Sequence, residues 1–353
     1  MHQAGHQASV QASRFTFYLL DGFALHAFSA ALEALRLAND VAGLAAYDWR
    51  IVTADGRPAQ SSCGMRVAAD CSLIEERDRV YQTGRPRFVA VCGGSAVPAP
   101  DRPLEAWLRL CRRNRVPLAG FAGGLYALAR SGLVDGHRCA VHWEHFPDFS
   151  ERFFTAKARQ SAFEIDGDLY TCAGGTAPFD MLLRIIEAEL GTDIANRICE
   201  IALCERLRDA GERQRLPLQA RLGIDNILLI RIIEQMEANL SEPLKLADIS
   251  PAGGMSRRQM ERLFRKEMGR TPARYYLDMR LERAHLLLVT TSLHVIEIAM
   301  SCGFSTASHF SRTYRERYGC TPQKARMTET ERRNAGHRPH DTGRPSAEER
   351  RVA

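Results

Sequence analysis

The feature that most constrains this sequence is a pattern written twice, fifty residues apart. "RRQMERLFRKEMGRTP" occupies residues 257–272 and "ASHFSRTYRERYGCTP" residues 307–322. The offset lays Met260 over Phe310, Arg262 over Arg312, Phe264 over Tyr314, Arg265 over Arg315 and Met268 over Tyr318, and both copies end in Gly-x-Thr-Pro. Apolar side chains at 260, 263, 264 and 268, and at 310, 314 and 318, recur at the spacing of one helical face. Upstream, "LADI" precedes "GGMS" as "IEIA" precedes "CGFS". Each copy therefore reads as helix, tight glycine turn and second helix.

Duplex DNA suits such a pair. An α-helix fits the major groove while its companion braces it on the backbone, and two copies on one unit reach groove segments about one turn, roughly 34 Å, apart. The first reading helix offers Arg257, Arg258, Gln259, Glu261, Arg262 and Arg265; the second offers Thr306, Ser308, His309, Ser311, Arg312 and Arg315. Charge agrees with this placement. Residues 223–326 carry 16 Lys/Arg against 11 Asp/Glu, whereas residues 1–222 carry 26 of each. A balance of +5 confined to one segment points to a polyanion partner for that segment. The competing account is a helical bundle with solvated basic faces.

The first half has a different rhythm. "FTFYLL" (15–20), "DWRIVTA" (48–54), "RFVAVCGG" (87–94) and "VPLAGFAGG" (116–124) read as strands, the last running into a turn. Helices fall between them at "FSAALEALRLAND" (28–40), "LEAWLRLCRRN" (104–114) and "LYALARSGLVDG" (125–136), the last closed by glycine. "AFEIDGDLYTCAGG" (162–175) reads as a hairpin turning at Asp166-Gly167, and "APFDMLLRIIEAELG" (177–191) as a helix capped by Thr176. This alternation predicts an α/β fold with a doubly wound, mostly parallel sheet, followed by an all-α double helix-turn-helix domain. The expected divisions are a flexible arm (1–13), a sensing domain (14–205), a polar linker (206–222), the DNA-binding domain (223–326) and a disordered tail (327–353). Ten scattered cysteines suit reduced thiols, and no stretch has a membrane helix's length or a secretion signal's pattern, so the expectation is a cytoplasmic protein.

"AGFAGGLYALARSGL" (119–133) raises a chemical question. Its strand-to-helix turn is one that enzymes use to present a nucleophile, yet the apex is Ala122, whose methyl group cannot be activated. Cys92 ends the neighbouring strand and could line the same cleft, but no spacing pairs it with a base. Gly174 and Gly175 close the cleft or merely start a helix. "HWEH" (142–145) lacks the second segment a metal site needs.

Two resemblances follow from these residues. "VIEIAMSCGFSTASHFSRTYRERYGCTPQKAR" (295–326) resembles the DNA-binding domain of AraC/XylS-type transcription regulators, and "PARYYLDMRLERAHLLLVTT" (272–291) matches the long helix joining their two units. By position the resemblance puts base contacts on Arg258, Glu261 and Arg262, and on Ala307, Ser308, His309, Ser311 and Arg312. Pro251 departs from the family's continuous first helix, and a proline inside a helix costs ~3 kcal/mol, so that helix is expected to end by Ser250 and its unit to dock less rigidly. From about Phe15 to Leu203 the chain resembles the PfpI-like members of the class I glutamine-amidotransferase-like fold, as fused to AraC domains in GlxA-type regulators.

That second resemblance implies a cleft with Glu33 as its carboxylate, backbone donors from Gly93 and Gly123, His142, and Ala122 where enzymes carry cysteine. A zwitterion would suit it, with Glu33 pairing the amine and Trp143 or Phe121 facing a quaternary ammonium group beside a helix N-terminus that favours a carboxylate. Glu33 could instead pair with Arg36, and His142 could be a core residue. The implied protein is a ligand-responsive regulator, an activator of catabolic genes for an amino acid or a quaternary amine such as arginine, glycine betaine or carnitine. Implied partners are promoter DNA, a small-molecule effector, RNA polymerase and a second copy docking through helix 192–208; no cofactor and no metal are expected. The alternatives are an amidase or deglycase with an accessory DNA-binding domain, and a constitutive DNA-binding protein whose first domain only dimerises.

Overall fold

In the computed structural model, residues 12–328 are described, apart from 83, 84, 205–207, 213, 215–217, 253, 254 and 292. The arm up to residue 11 and the tail from 329 lie outside the described residues. The strands are β1 (Ser13–Leu19), β2 (Tyr47–Thr53), β3 (Ala59–Gln60), β4 (Arg66–Val67), β5 (Cys71–Ser72), β6 (Phe88–Cys92), β7 (Leu118–Phe121), β8 (Arg138–Ala140), β9 (Lys157–Arg159), β10 (Phe163–Asp166) and β11 (Leu169–Cys172). Seven of them form one sheet in the order β10-β11-β7-β6-β1-β2-β5, and every pairing is parallel except β10 with β11. Strand β1 is buried from Phe15 to Leu19 because helices cover both faces of the sheet. Its alternate residues divide between two cores. Phe15, Phe17 and Leu19 join α1 (Leu25–Ala42), while Tyr18 faces Trp107 and Leu108 on the other side.

Local chemistry sets the helix limits. Helix α1 buries Ala27, Phe28, Ala31, Ala34, Leu35 and Ala38 along one stripe and stops at Gly43, whose left-handed backbone returns its N–H to Asn39. On the opposite face lie α2 (Leu73–Asp78), α3 (Arg102–Arg113), α4 (Leu125–Arg130) and α5 (Phe146–Arg152). Asp101 caps α3 through Leu104 N–H. Helix α4 ends at Arg130, six residues short of the sequence expectation, because Gly132 already takes the left-handed conformation. The hairpin loop is Gly167-Asp168, one residue later than expected, since Asp166 pairs with Leu169.

Helices α6 (Ala177–Leu190) and α7 (Thr192–Ile201) complete the first unit. Thr176 does not cap α6; its hydroxyl accepts from Arg208 instead. Part of the apolar stripe of α7, expected as a dimer face, is used inside its own domain, while Ile201 stays 46% exposed. Ala195, Ile198 and Cys199 are buried, and α7 packs on α1 and α6.

Among the described residues of the expected linker, Gln214 donates to the Val141 and Ser161 carbonyls at 2.7 Å each and Asp209 pairs with Arg184, so these two residues lie on the first unit. Helix α8 (Leu218–Leu222) instead buries Leu218 in the second unit's core. That unit continues with α9 (Ile227–Ala238), α10 (Leu246–Ala252), α11 (Arg257–Met268), α12 (Pro272–Thr290), α13 (Val295–Ser301) and α14 (Ala307–Tyr318). Helix α10 runs through Pro251 rather than ending at Ser250. After a break at 319–321 the chain is helical again over 322–328, slightly past the expected domain end.

The tightest packing is backbone on backbone at the sheet's carboxyl edge. A Cβ on Gly124 would sit 1.9 Å from the Val91 carbonyl oxygen, and one on Gly93 would sit 2.3 Å from the Gly124 nitrogen. Gly124→Ala is therefore expected to destabilise the first unit by about 2–3 kcal/mol, the scale of forced overpacking. Chemical denaturation checks this, and a loss under about 0.5 kcal/mol, the scale of a neutral surface change, would contradict the close approach.

Candidate functional site

The turn after β7 is a strained elbow. Ala122 has φ +49°, one of three non-glycine residues with positive φ among those described, and its side chain is partly exposed. Such a backbone costs of order 1–3 kcal/mol in a residue with a Cβ. The elbow is held where β6 and β7 cross closely. Gly93 N–H donates to the Phe121 carbonyl at 3.1 Å, and Gly123 N–H to the Gly94 carbonyl at 3.0 Å. Gly174 lies on the other side, where a Cβ would come within 3.2 Å of the Ala122 methyl.

These hydrogen bonds revise the resemblance-based site. Gly93 and Gly123 were expected as free donors for an oxyanion, but both N–H groups are spent on carbonyls. The N–H groups of Ala122 and Gly174 face the sulfur of Cys172, whose thiol burial pushes up to about 12. Cys92 does not line the cleft. It is 1% exposed beside Cys172, and burial raises its thiol well above the usual range, leaving it protonated and inert. Phe121 packs against Phe17 in the core and offers no face to a ligand. Helix α4, with six residues, contributes little dipole to an anion.

Glu33 is also displaced from the expected role. It sits exposed on α1, and its carboxylate accepts two hydrogen bonds from Arg36, which also holds Asp40. The bond from Arg36 keeps the Glu33 carboxyl below its ordinary range. This is the helix-face ion pair that three-residue spacing favours.

Four consecutive residues after β8 supply the side-chain chemistry at this edge. Ala140 N–H bonds the Thr171 hydroxyl, which ties β8 to β11 and brings His142 to the strand ends. His142 is partly exposed, with Nδ1 3.7 Å from a Glu144 carboxylate oxygen. Trp143, partly exposed, lies 5.5 Å from the His142 ring and donates its backbone N–H to Gln214. His145 is 5% exposed, bonds the Ser95 backbone and leaves Nδ1 without a hydrogen-bond partner. Glu144 and His145 escaped notice because "HWEH" signals only a metal motif. Among the described residues no group of three His, Cys, Asp or Glu side chains could hold a metal ion.

In the second unit, α11 and α14 present matching faces. Met260 and Phe264 are buried in one, Phe310 and Tyr314 in the other, as the repeat alignment requires. Arg257, Arg258, Arg262, Arg265, Ser308, His309, Arg312 and Arg315 are exposed; Glu261, Ala307 and Ser311 are partly so. Gln259 is committed elsewhere, since its side chain completes a capping box by accepting from Ser256 N–H. Thr306 caps α14 by accepting from His309 N–H. Glu261 pairs with Arg257 at 3.3 Å.

A parallel α/β domain with an emptied elbow, followed by two helix-turn-helix units, defines a class: DNA-binding transcription regulators built on a DJ-1/PfpI-type domain. Residues 13–188 match the DJ-1/PfpI family and residues 250–328 a helix-turn-helix domain. The HTH-type transcriptional regulator GbdR of Pseudomonas aeruginosa (strain UCBPP-PA14) is 38% identical over 88% of this chain and 83% of its own length. CdhR, an HTH-type transcriptional regulator of P. aeruginosa, is 38% identical over 88% of this chain and 91% of its own. The HTH-type transcriptional regulator GlxA of Rhizobium meliloti is 32% identical over 89% of this chain and 95% of its own. The chain belongs to the GlxA-type regulators of the AraC family. Among the described residues no helix is long and apolar enough to cross a membrane.

Burial lowers the proton affinity of both His142 and His145 below the ordinary histidine value, with Glu144 pulling weakly the other way. As pH falls through about 6.5, the unfolded chain takes up protons that the folded chain refuses. Stability is therefore fully present above about pH 7 and is lost below it. The first unit's urea midpoint should fall between about pH 7 and 5.5, with a shallower slope in the His142→Asn, His145→Asn double variant. An unchanged slope would place the acid sensitivity on other groups.

Proposed function

We propose that the first unit recognises a small metabolite, an amino acid or a quaternary amine, and that the second unit reads promoter DNA to activate the genes for that metabolite's breakdown. RNA polymerase is the further partner, and a homodimer is the working form. The observation that carries this reading is Ala122 at φ +49°: the chain keeps a strained apex with neither a nucleophile nor, at Gly93 and Gly123, a free oxyanion donor. Strain retained without reaction chemistry supports a cleft kept for recognition. With the neighbouring amides spent, the groups addressed to a ligand are the Glu144 carboxylate, the Trp143 ring and the neutral imidazole of His142. A carboxylate with an indole face suits an ammonium or methylated ammonium group.

An effector shifts the protein only if it binds one arrangement better than another. Thermal-shift titration with amino acids and methylated amines is expected to find a stabilising compound, worth ~2.7 kcal/mol at a hundred times its Kd. Glu144→Gln should reduce that shift, whereas Glu33→Gln should leave it intact. No shift with any compound in either class would remove the sensing role, and equal shifts in the Glu144 variant would remove Glu144. On the DNA side, Arg312→Ala should weaken operator binding by about 1–3 kcal/mol, as loss of a base contact does. Unchanged affinity in a gel-shift titration at physiological salt would take Arg312 out of the reading set.

A further inference from the structure

The second unit has two cores rather than one. Leu229, Ile233, Met260, Phe264 and Tyr276 form the first, and Leu281, Leu287, Ile298, Phe310 and Tyr314 the second. Helix α12 serves both, turning Tyr276 to one and Leu281, Ala284 and Leu288 to the other, so its apolar residues do not gather on a single face. Something must then fix the angle between the two reading helices. One tie is steric: Gly303, in the turn between α13 and α14, leaves no room for a Cβ against Pro243 and the Leu240 carbonyl. The other is a buried charge. Asp278, 5% exposed on α12, lies 2.8 Å from Arg270, 3.2 Å from Arg274 and 3.6 Å from Arg317. Arg270 belongs to the turn that ends α11, and Arg317 to the last turn of α14. One carboxylate thus bridges both helix-turn-helix units and offsets the mutual repulsion of three guanidinium groups.

We propose that Asp278 is a positioning residue that locks α11 and α14 at one offset, so that the domain reads two DNA segments only at a set spacing. The inference rests on the reading that both helices enter DNA. Each base pair inserted between two segments displaces the second by roughly 3.4 Å and 34°, which a locked pair cannot follow and a loosened pair can. Removing the charge leaves a folded unit, because the three arginines are each more than a third exposed and can turn to water.

The test uses the full-length protein and a duplex selected from randomised DNA by that protein, together with versions carrying one or two base pairs added or removed between the two protected segments. The unaltered protein should lose about tenfold or more in affinity at two added pairs, the scale of one lost base contact. Asp278→Asn should bind the selected duplex about tenfold more weakly and hold its affinities across spacings to within about threefold. Asp278→Glu should restore the steep dependence. Should Asp278→Asn fail to fold, Arg317→Gln, which cuts only the arm to α14, must show the same flattening. A steep spacing dependence retained in the folded variant would overturn the proposal. A footprint of one segment only from the unaltered protein would overturn it at its base, by removing the two-helix reading itself.

Discussion

The first unit depends on how closely the loops after β6 and β7 approach each other. Gly93, Gly94, Gly123 and Gly124 let two main chains cross with carbonyl and amide in direct contact, at distances that exclude any side chain. That crossing forces Ala122 into the left-handed region and uses up the amides an oxyanion would need. The same geometry that would present a nucleophile in an enzyme here presents a methyl group. The apex carries no nucleophile, and the Gly93 and Gly123 amides around it are already bonded to carbonyls.

The second unit solves a different mechanical problem. Two small cores share one helix, α12, which turns apolar residues to each of them. Arg280 extends the arrangement by donating to the carbonyls of Cys302 and Gly303 while its guanidinium lies 4.3 Å from the Phe304 ring centroid. The polar groups that close α13 are therefore satisfied from α12, which binds the bracing helix of the second copy to the connector. Signals that reach α12 would reach both reading helices together.

Much of this was legible in the sequence. The apolar run of β1, the stripe of α1 and the duplicated helix pattern are one-dimensional regularities read directly from the sequence. The repeat even assigned buried positions, pairing Met260 with Phe310 and Phe264 with Tyr314. Capping was partly readable: Ser256 and Gln259 are three apart, and an exposed amide on a reading helix serves either a cap or a base contact. Glu33 failed for a related reason. Its carboxylate has a partner three residues away, and a local partner wins over a distant cleft.

What the sequence by itself determined is which residues share a helix face or a strand face, and hence two domains of known class with a basic second half. What only the tertiary structure decided is which polar groups remain free to meet a ligand or DNA. Gly93 and Gly123 lose their amides to the carbonyls of Phe121 and Gly94, Thr176 loses its hydroxyl to an arginine thirty-two residues on, and Asp278 gains one guanidinium group from a helix that begins twenty-nine residues later. Periodicity is a property of neighbouring residues along one chain direction. Satisfaction of a hydrogen bond is a property of whichever group arrives alongside, and that is set only when the elements pack.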